Sequence, residues 1–307
     1  MSFLYLLEEC RVPVLNEFML LITYLGDELA FLVTALILFW CVDKRHGYYT
    51  LSVGFIGTIF NQFLKLLCRV PRPWVLDENF TILEQAREGA SGYSFPSGHT
   101  QSSVGTFGSI AAVTKNRWVR VVAIAITVLV PFSRMYIGVH TPLDVFVSVL
   151  IALGLIFGLR PLVMGNHKKT FPILLVCMSV LAVGYVCFVE FFPFPEDIDA
   201  HNMASGVKNA YTLLGSLLGL LVVYIVDEKW LNFPVKAAGW VQVVKVLLGL
   251  CLVLAVKEGL SSPLSALLGA SVGRAVRYFL IVITAGVLWP LSFKWFSRIS
   301  DKPENKR

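Results

Sequence analysis

Charge is what this chain has least of. Only 15% of its 307 residues are Asp, Glu, Lys or Arg, against about 25% in an ordinary soluble domain. Hydrophobic residues make up 56%, and the mean hydropathy is +0.72. So little charge excludes a solvated surface over most of the chain, and the recurrent apolar runs read as a polytopic helical membrane protein. Cysteine pairing is missing too. The six cysteines are scattered with no CxxC, which excludes a disulfide framework or zinc site and leaves them as small packing residues. No linker rich in Pro, Gly or Ser divides the chain. One membrane domain is expected, a core over 1–165 with a C-terminal extension over 166–307. The opening "MSFLYLLEEC" lacks a basic start and carries two Glu, unlike a cleaved signal peptide.

What is present organises itself by side. Apolar runs predict about nine spans, at 22–42, 47–67, 98–114, 119–133, 143–159, 171–189, 207–226, 240–256 and 275–293. The expected fold is an all-α transmembrane bundle, with residues 1–21 as a possible helix lying on the interface. Fifteen of the 26 basic residues, from Lys44 and Arg45 to the 294–307 tail, then fall on one side. By the positive-inside bias that side is cytoplasmic and the N-terminus lies outside. The net charge of +6 is thus explained by topology, and a nucleic-acid partner is not expected. Trp118, Trp230, Trp240 and Trp295 fall near inner span ends as interfacial anchors. The repeated "LLGSLLG" (213–219) and "LLGASVG" (267–273) carry small-xxx-small spacing that packs helices.

Three polar clusters fall at the outer ends of the expected spans. "KLLCRVPRPW" (65–74) supplies Lys65 and Arg72, "SGYSFPSGHTQSS" (91–103) supplies His99, and "SRMYIGVHTPLD" (133–144) supplies Arg134, His140 and Asp144. Ser97 stands at an N-cap position. Thr141-Pro142-Leu143-Asp144 has the form of a helix start, with Thr capping and an acid three residues on. Both helices would point unpaired N–H groups and a positive dipole end outward, where anions and phosphate bind. Singly, each residue has a bland explanation: a snorkelling cation, a cap, a capping-box acid. Six suitable groups on one face from three separated segments are better explained together, as an anion pocket.

At these residues the sequence resembles the type-2 phosphatidic acid phosphatase superfamily, whose pattern is K-x6-R-P, P-S-G-H and S-R-x5-H-x3-D. Lys65 to Pro73, Pro96 to His99 and Ser133 to Asp144 match it without departure, over roughly residues 20–160. The resemblance implies roles. His140 would be the nucleophile, forming a phosphohistidine. Asp144 would orient its ring, and His99 would protonate the leaving oxygen and then activate water. Lys65, Arg72 and Arg134, with backbone N–H groups near Ser97 and Gly98, would hold the phosphoryl oxygens. No metal or other cofactor is required.

The implied protein is an integral-membrane phosphatase of lipid phosphate or diphosphate esters. It would sit in the plasma (inner) membrane with its site facing away from the cytoplasm. Its partners would be a phosphorylated lipid substrate and the membrane lipids around it. A phosphatase of soluble phosphomonoesters, a headgroup binder or transporter, and a vanadate haloperoxidase are the alternatives. The 75–95 loop, with four acids and Arg87, is a candidate for headgroup selection, and "PEDID" (195–199) reads as a solvated loop ahead of a gate for substrate entry. "GRAVRY" (273–278) has no assigned role.

Overall fold

The structure, a computed structural model, describes residues 1–87, 89–90 and 92–300. Glu88 of the 75–95 loop and the tail cations Lys302, Lys306 and Arg307 lie outside them. The chain is 82% helical, and no strand occurs among the described residues. It opens with α1 (Ser2–Glu9) and α2 (Pro13–Thr23), then a tight turn at Tyr24–Gly26 and α3 (Glu28–Ile37). There follow α4 (Lys44–Cys68), the single turn α5 (Pro73–Leu76), α6 (Gly98–Val113), α7 (Arg117–Tyr136), α8 (Pro142–Met164) and α9 (His167–Phe191). The C-terminal part holds α10 (Ala200–Val226), α11 (Gly239–Gly259), α12 (Ser261–Leu268), α13 (Ala270–Ile283) and α14 (Phe293–Ser300).

Seven helical stretches among the described residues are long and apolar enough to cross a membrane. A pair bent by 57°, Pro13–Gly26 with Glu28–Val42, brings the number to as many as eight. Of the nine expected spans, 98–114 is not among these stretches. The 16 residues of α6 rise only about 24 Å, short of a hydrocarbon core of about 30 Å. They also bury Thr100, Gln101, Ser103, Thr106 and Ser109. The first expected span also differs: Pro13 starts α2, so residues 1–21 hold α1 and most of α2, and α2 belongs to the first limb of the bent pair.

Two compact units are present, each discontinuous in sequence. The first comprises Met1–Thr34, Tyr49–Pro161 and Phe192–Gly206. Within it α6 packs along α7, and α2 packs on α7 as well. Polar side chains are paired between helices rather than left bare. Tyr49 donates to the Ile156 carbonyl at 2.5 Å, and the Thr50 and Ser109 hydroxyls meet at 2.9 Å. A layer of Met19, Leu20, Ala86, Ala90, Tyr136, Ile137 and Val139 fastens the 73–90 loop to α2 and the end of α7.

The second unit comprises Ala35–Tyr48, Leu162–Phe191 and Val207–Arg307. Tyr48, His167, Phe171 and Tyr224 form an aromatic cluster, with the His167 ring stacked on Phe171 at 4.8 Å. Both glycines of "LLGSLLG" pack directly against α13, Gly215 on the Ala275 backbone and Gly219 on Val282. In "LLGASVG" the spacing spans a break, because Gly269 takes φ of 78° between α12 and α13. Trp118, Trp230, Trp240 and Trp295 are all exposed, as interfacial anchors require.

Candidate active site

The spacing from Arg134 to His140 is set by a turn. α7 ends at Tyr136, and the Arg134 carbonyl accepts the N–H of both Val139 and His140, at 3.1 and 3.3 Å. This closure needs a left-handed residue, and Gly138 supplies it at φ of 88°. A side chain there would also strike Arg11 Nη2 at 2.8 Å. Arg11 locks the turn from outside by donating to the carbonyls of Tyr136 and Thr81 at 3.1 and 2.9 Å. α8 then starts as a capping box. Asp144 Oδ2 accepts from Thr141 N at 2.7 Å, and Thr141 Oγ1 accepts from Asp144 N at 3.3 Å, so both groups stabilise the same helix end.

His140 is 1% exposed. Arg72 Nη1 stands 3.0 Å from its Nε2 and 2.9 Å from the Val139 carbonyl. A guanidinium only donates, so Nε2 is the accepting nitrogen and the ring proton resides on Nδ1. That nitrogen faces Asp144 Oδ2 at 3.5 Å. The orientation expected from the sequence is present, but it is shared: Ser94 Oγ donates to Asp144 Oδ2 at 2.6 Å and lies 3.5 Å from His140 Nδ1. Ser94 thus braces the carboxylate against the ring.

The other expected groups converge on the same end of the first unit. Lys65, in the last turn of α4, donates to the Tyr93 carbonyl. Arg72 Nε donates to the Gly92 carbonyl at 2.9 Å. Arg134 is 2% exposed and commits Nη1 to Thr23 Oγ1 at 2.7 Å, while its Nε and Nη2 have no protein partner. Orphaned buried donors are rare and costly, so these two point to an anion. Ser97 caps α6 by accepting from Thr100 N at 3.4 Å. Its own N–H is used elsewhere, donating to the Asp144 carbonyl at 3.2 Å. The anion-holding role expected for Ser97 N–H therefore does not fit this geometry, whereas Gly98 and His99 begin the helix with its N–H groups directed outward.

His99 pairs through Nε2 with Asp27 Oδ1 at 2.7 Å. Asp27, Thr23, Ser94 and Asn61, whose amide donates to the Pro96 carbonyl at 3.3 Å, were missed by sequence reasoning. Asn61 precedes Lys65 by one helical turn on α4, a signal that could have marked it. Ser94 lies inside the quoted 91–103 stretch, but nothing local ties it to Asp144. In the second unit, Arg277 of "GRAVRY" donates to Ser261.

The electrostatics are one-sided. His140, in the turn between α7 and α8, is held well below the ordinary histidine range. Burial is the first cause, followed by the charges of Arg72, Arg134, Lys65 and His99. A neutral His140 among three cations results. Among the described residues no cluster of three or more His, Cys, Asp or Glu side chains is arranged to hold a metal.

Two imidazoles within the field of Arg72 and Arg134, with unpartnered guanidinium nitrogens, define a membrane helix bundle built to handle phosphoryl groups. Residues 45–168 match the PAP2 superfamily, and residues 211–302 match the PAP2 superfamily phosphatase transmembrane extension. The chain is 32% identical over 142 residues to the undecaprenyl-diphosphatase BcrC of Bacillus subtilis, covering 46% of this chain and 70% of that one. It is also 32% identical over 137 residues to an undecaprenyl-diphosphatase of Sulfolobus acidocaldarius, covering 44% of this chain and 64% of that one, just under two thirds. No solved structure matches. The chain belongs to the PAP2 superfamily and is an integral-membrane phosphatase, a phosphoric ester hydrolase.

Proposed function

We propose that this phosphatase hydrolyses a lipid diphosphate of the polyprenyl type at the outer face of the plasma membrane, through a phosphohistidine on His140. The observation that carries the reading is the buried cationic cluster around an acceptor nitrogen. His140 Nε2 holds its lone pair toward Arg72, and Arg134 offers two unused donors. An incoming phosphoryl group would take these contacts in place of the Arg72 bond. Nε2 then bonds to phosphorus while the bridging P–O bond breaks, and His99 gives its proton to the departing oxygen. Asp144, braced by Ser94, stabilises the charge that His140 acquires. In the second half water attacks phosphorus, His99 takes the proton, and the P–N bond breaks to release phosphate. Lys65, Arg72 and Arg134 stabilise the oxygens throughout.

The lipid is supported by the names of the two relatives and by the cluster's place at the ends of apolar helices. The outer face is supported by the distribution of basic residues. In this reading residues 1–165 carry the phosphatase core and 166–307 an extension. The test is phosphate release by the purified protein in detergent, with EDTA present, from polyprenyl diphosphate, phosphatidic acid and a soluble sugar phosphate. Fastest release from the diphosphate, unaffected by EDTA and abolished in His140→Ala, is expected. Faster hydrolysis of the sugar phosphate would replace the lipid reading. Full turnover by His140→Ala would remove the mechanism.

A further inference from the structure

We infer that Asp27 is a positioning residue for His99, holding the imidazole so that it carries the proton needed by the leaving oxygen. This rests on the mechanism proposed above and deepens it. Asp27 occupies the bend between α2 and α3. It is the first residue after the Tyr24–Gly26 turn, with extended backbone at φ −70° and ψ 154°. The turn can approach only because residue 26 is glycine. A Cβ there would lie 2.9 Å from both Cβ and the carbonyl oxygen of His99, and 3.0 Å from Val130 Cγ1. The same turn presents Thr23 to Arg134 at 2.7 Å. One bent element thus places two side chains against two site residues.

The charged groups bearing on the His99 ring come from three directions. Arg134 faces it from α7, Arg72 from the connection after α4, and Asp27 from the bend, with His140 in the same field. Of these Asp27 alone is a carboxylate, and its contact is 2.7 Å to Nε2. Burial and then the charge of Arg134, with that of Arg72, draw the His99 imidazole down to about 4, and Asp27 at hydrogen-bond distance opposes them in favour of imidazolium. In the protonated ring Nε2–H stays hydrogen-bonded to Asp27 Oδ1, and the Nδ1 proton passes to the leaving oxygen as the P–O bond breaks. The neutral ring then takes a proton from the attacking water at Nδ1.

Asp27→Asn keeps the shape and removes the charge. It is assayed in the full-length protein in detergent on a long-chain alkyl phosphate and on a nitrophenyl phosphate, whose departing oxygen needs little protonation. Loss of the carboxylate should lower kcat on the alkyl ester about 30-fold, and on the aryl ester by less than about fivefold, because only the former depends on the acid. An acid is active when protonated, so the alkaline limb of the kcat profile should move to lower pH by roughly one unit. Asp27→Glu should recover part of the loss. His99→Gln with Asp27→Asn should be no worse than His99→Gln alone. Equal losses on both esters, an unmoved alkaline limb, or additive losses in the double variant would overturn the assignment. His140→Ala, run alongside, separates the two levels: if it still turns over either ester, the mechanism fails rather than Asp27.

Discussion

Each of the two units buries cations among apolar helices, and they treat those cations in opposite ways. In the second unit, Lys245 is 1% exposed, and its Nζ donates to the carbonyls of Trp40 and Val235 at 2.8 and 3.1 Å. The Phe293 ring stands 4.4 Å away. Lys44 meets both oxygens of Asp227 at 2.8 and 2.9 Å and lies over the Phe233 ring at 3.9 Å. In the first unit, Lys65, Arg72 and Arg134 stand near two carboxylates, Asp144, whose Oδ2 already serves Ser94 and Thr141, and Asp27, which pairs with His99. Arg134 keeps two nitrogens unpartnered. Removing a cation from water is costly unless it is paired and hydrogen-bonded. The second unit repairs that cost for Lys44 and Lys245 internally and leaves one nitrogen of Arg277, Nε, without a partner. The first leaves it for an anion to repair, and that imbalance is what a phosphoryl site requires.

The widest break in this comparison should come from His140. Replacing it with Ala is expected to reduce turnover by at least about 10³-fold, with no phosphoenzyme trapped on acid quench and thermal unfolding in detergent little changed. Next, Arg134→Met removes an unsatisfied buried charge. kcat/KM should fall roughly 10²-fold while stability is held or raised. Its mirror in the second unit, Asp227→Asn, strands Lys44 and should cost roughly 1–3 kcal/mol of stability, with activity per folded molecule retained. Paired melting and turnover measurements read both; equal behaviour of the two variants would erase the contrast.

A smaller effect concerns pH. In the proposed mechanism His140 attacks only when neutral, so the rate should rise with pH through its titration. The cations hold that titration low. Removing one in Arg72→Gln should move the acid limb of the profile to higher pH, in addition to lowering the maximum. An acid limb that stays in place would show that Arg72 does not bear on the nucleophile. The smallest expected effect is that of Ser94→Ala, which takes one donor from Asp144 and should lower kcat about fivefold with KM little changed.

Much of the site was legible because its spacings are local. The five residues between Arg134 and His140 close a turn on the Arg134 carbonyl, and the three between His140 and Asp144 place the acid one helical turn along. Ser97 and Thr141 act as caps, as their positions before helices imply. Other features came from packing. Thr23 meets Arg134 across 111 residues of chain, and no periodicity connects Asp27 with His99. The apolar C-terminal half of α6 reads as a span, whereas its length of 16 residues and its row of buried hydroxyls follow from packing against α7.

Composition and local pattern thus determined the helical membrane class, the helix starts and the internal geometry of each motif, because helical pitch and turn closure act over a few residues. Only the tertiary structure decided which nitrogen of His140 is free to accept, which N–H of Ser97 is already used, and which carboxylate meets His99. Those choices arise when distant segments pack and exclude water, since a buried donor or charge must take whatever partner the neighbouring helix presents.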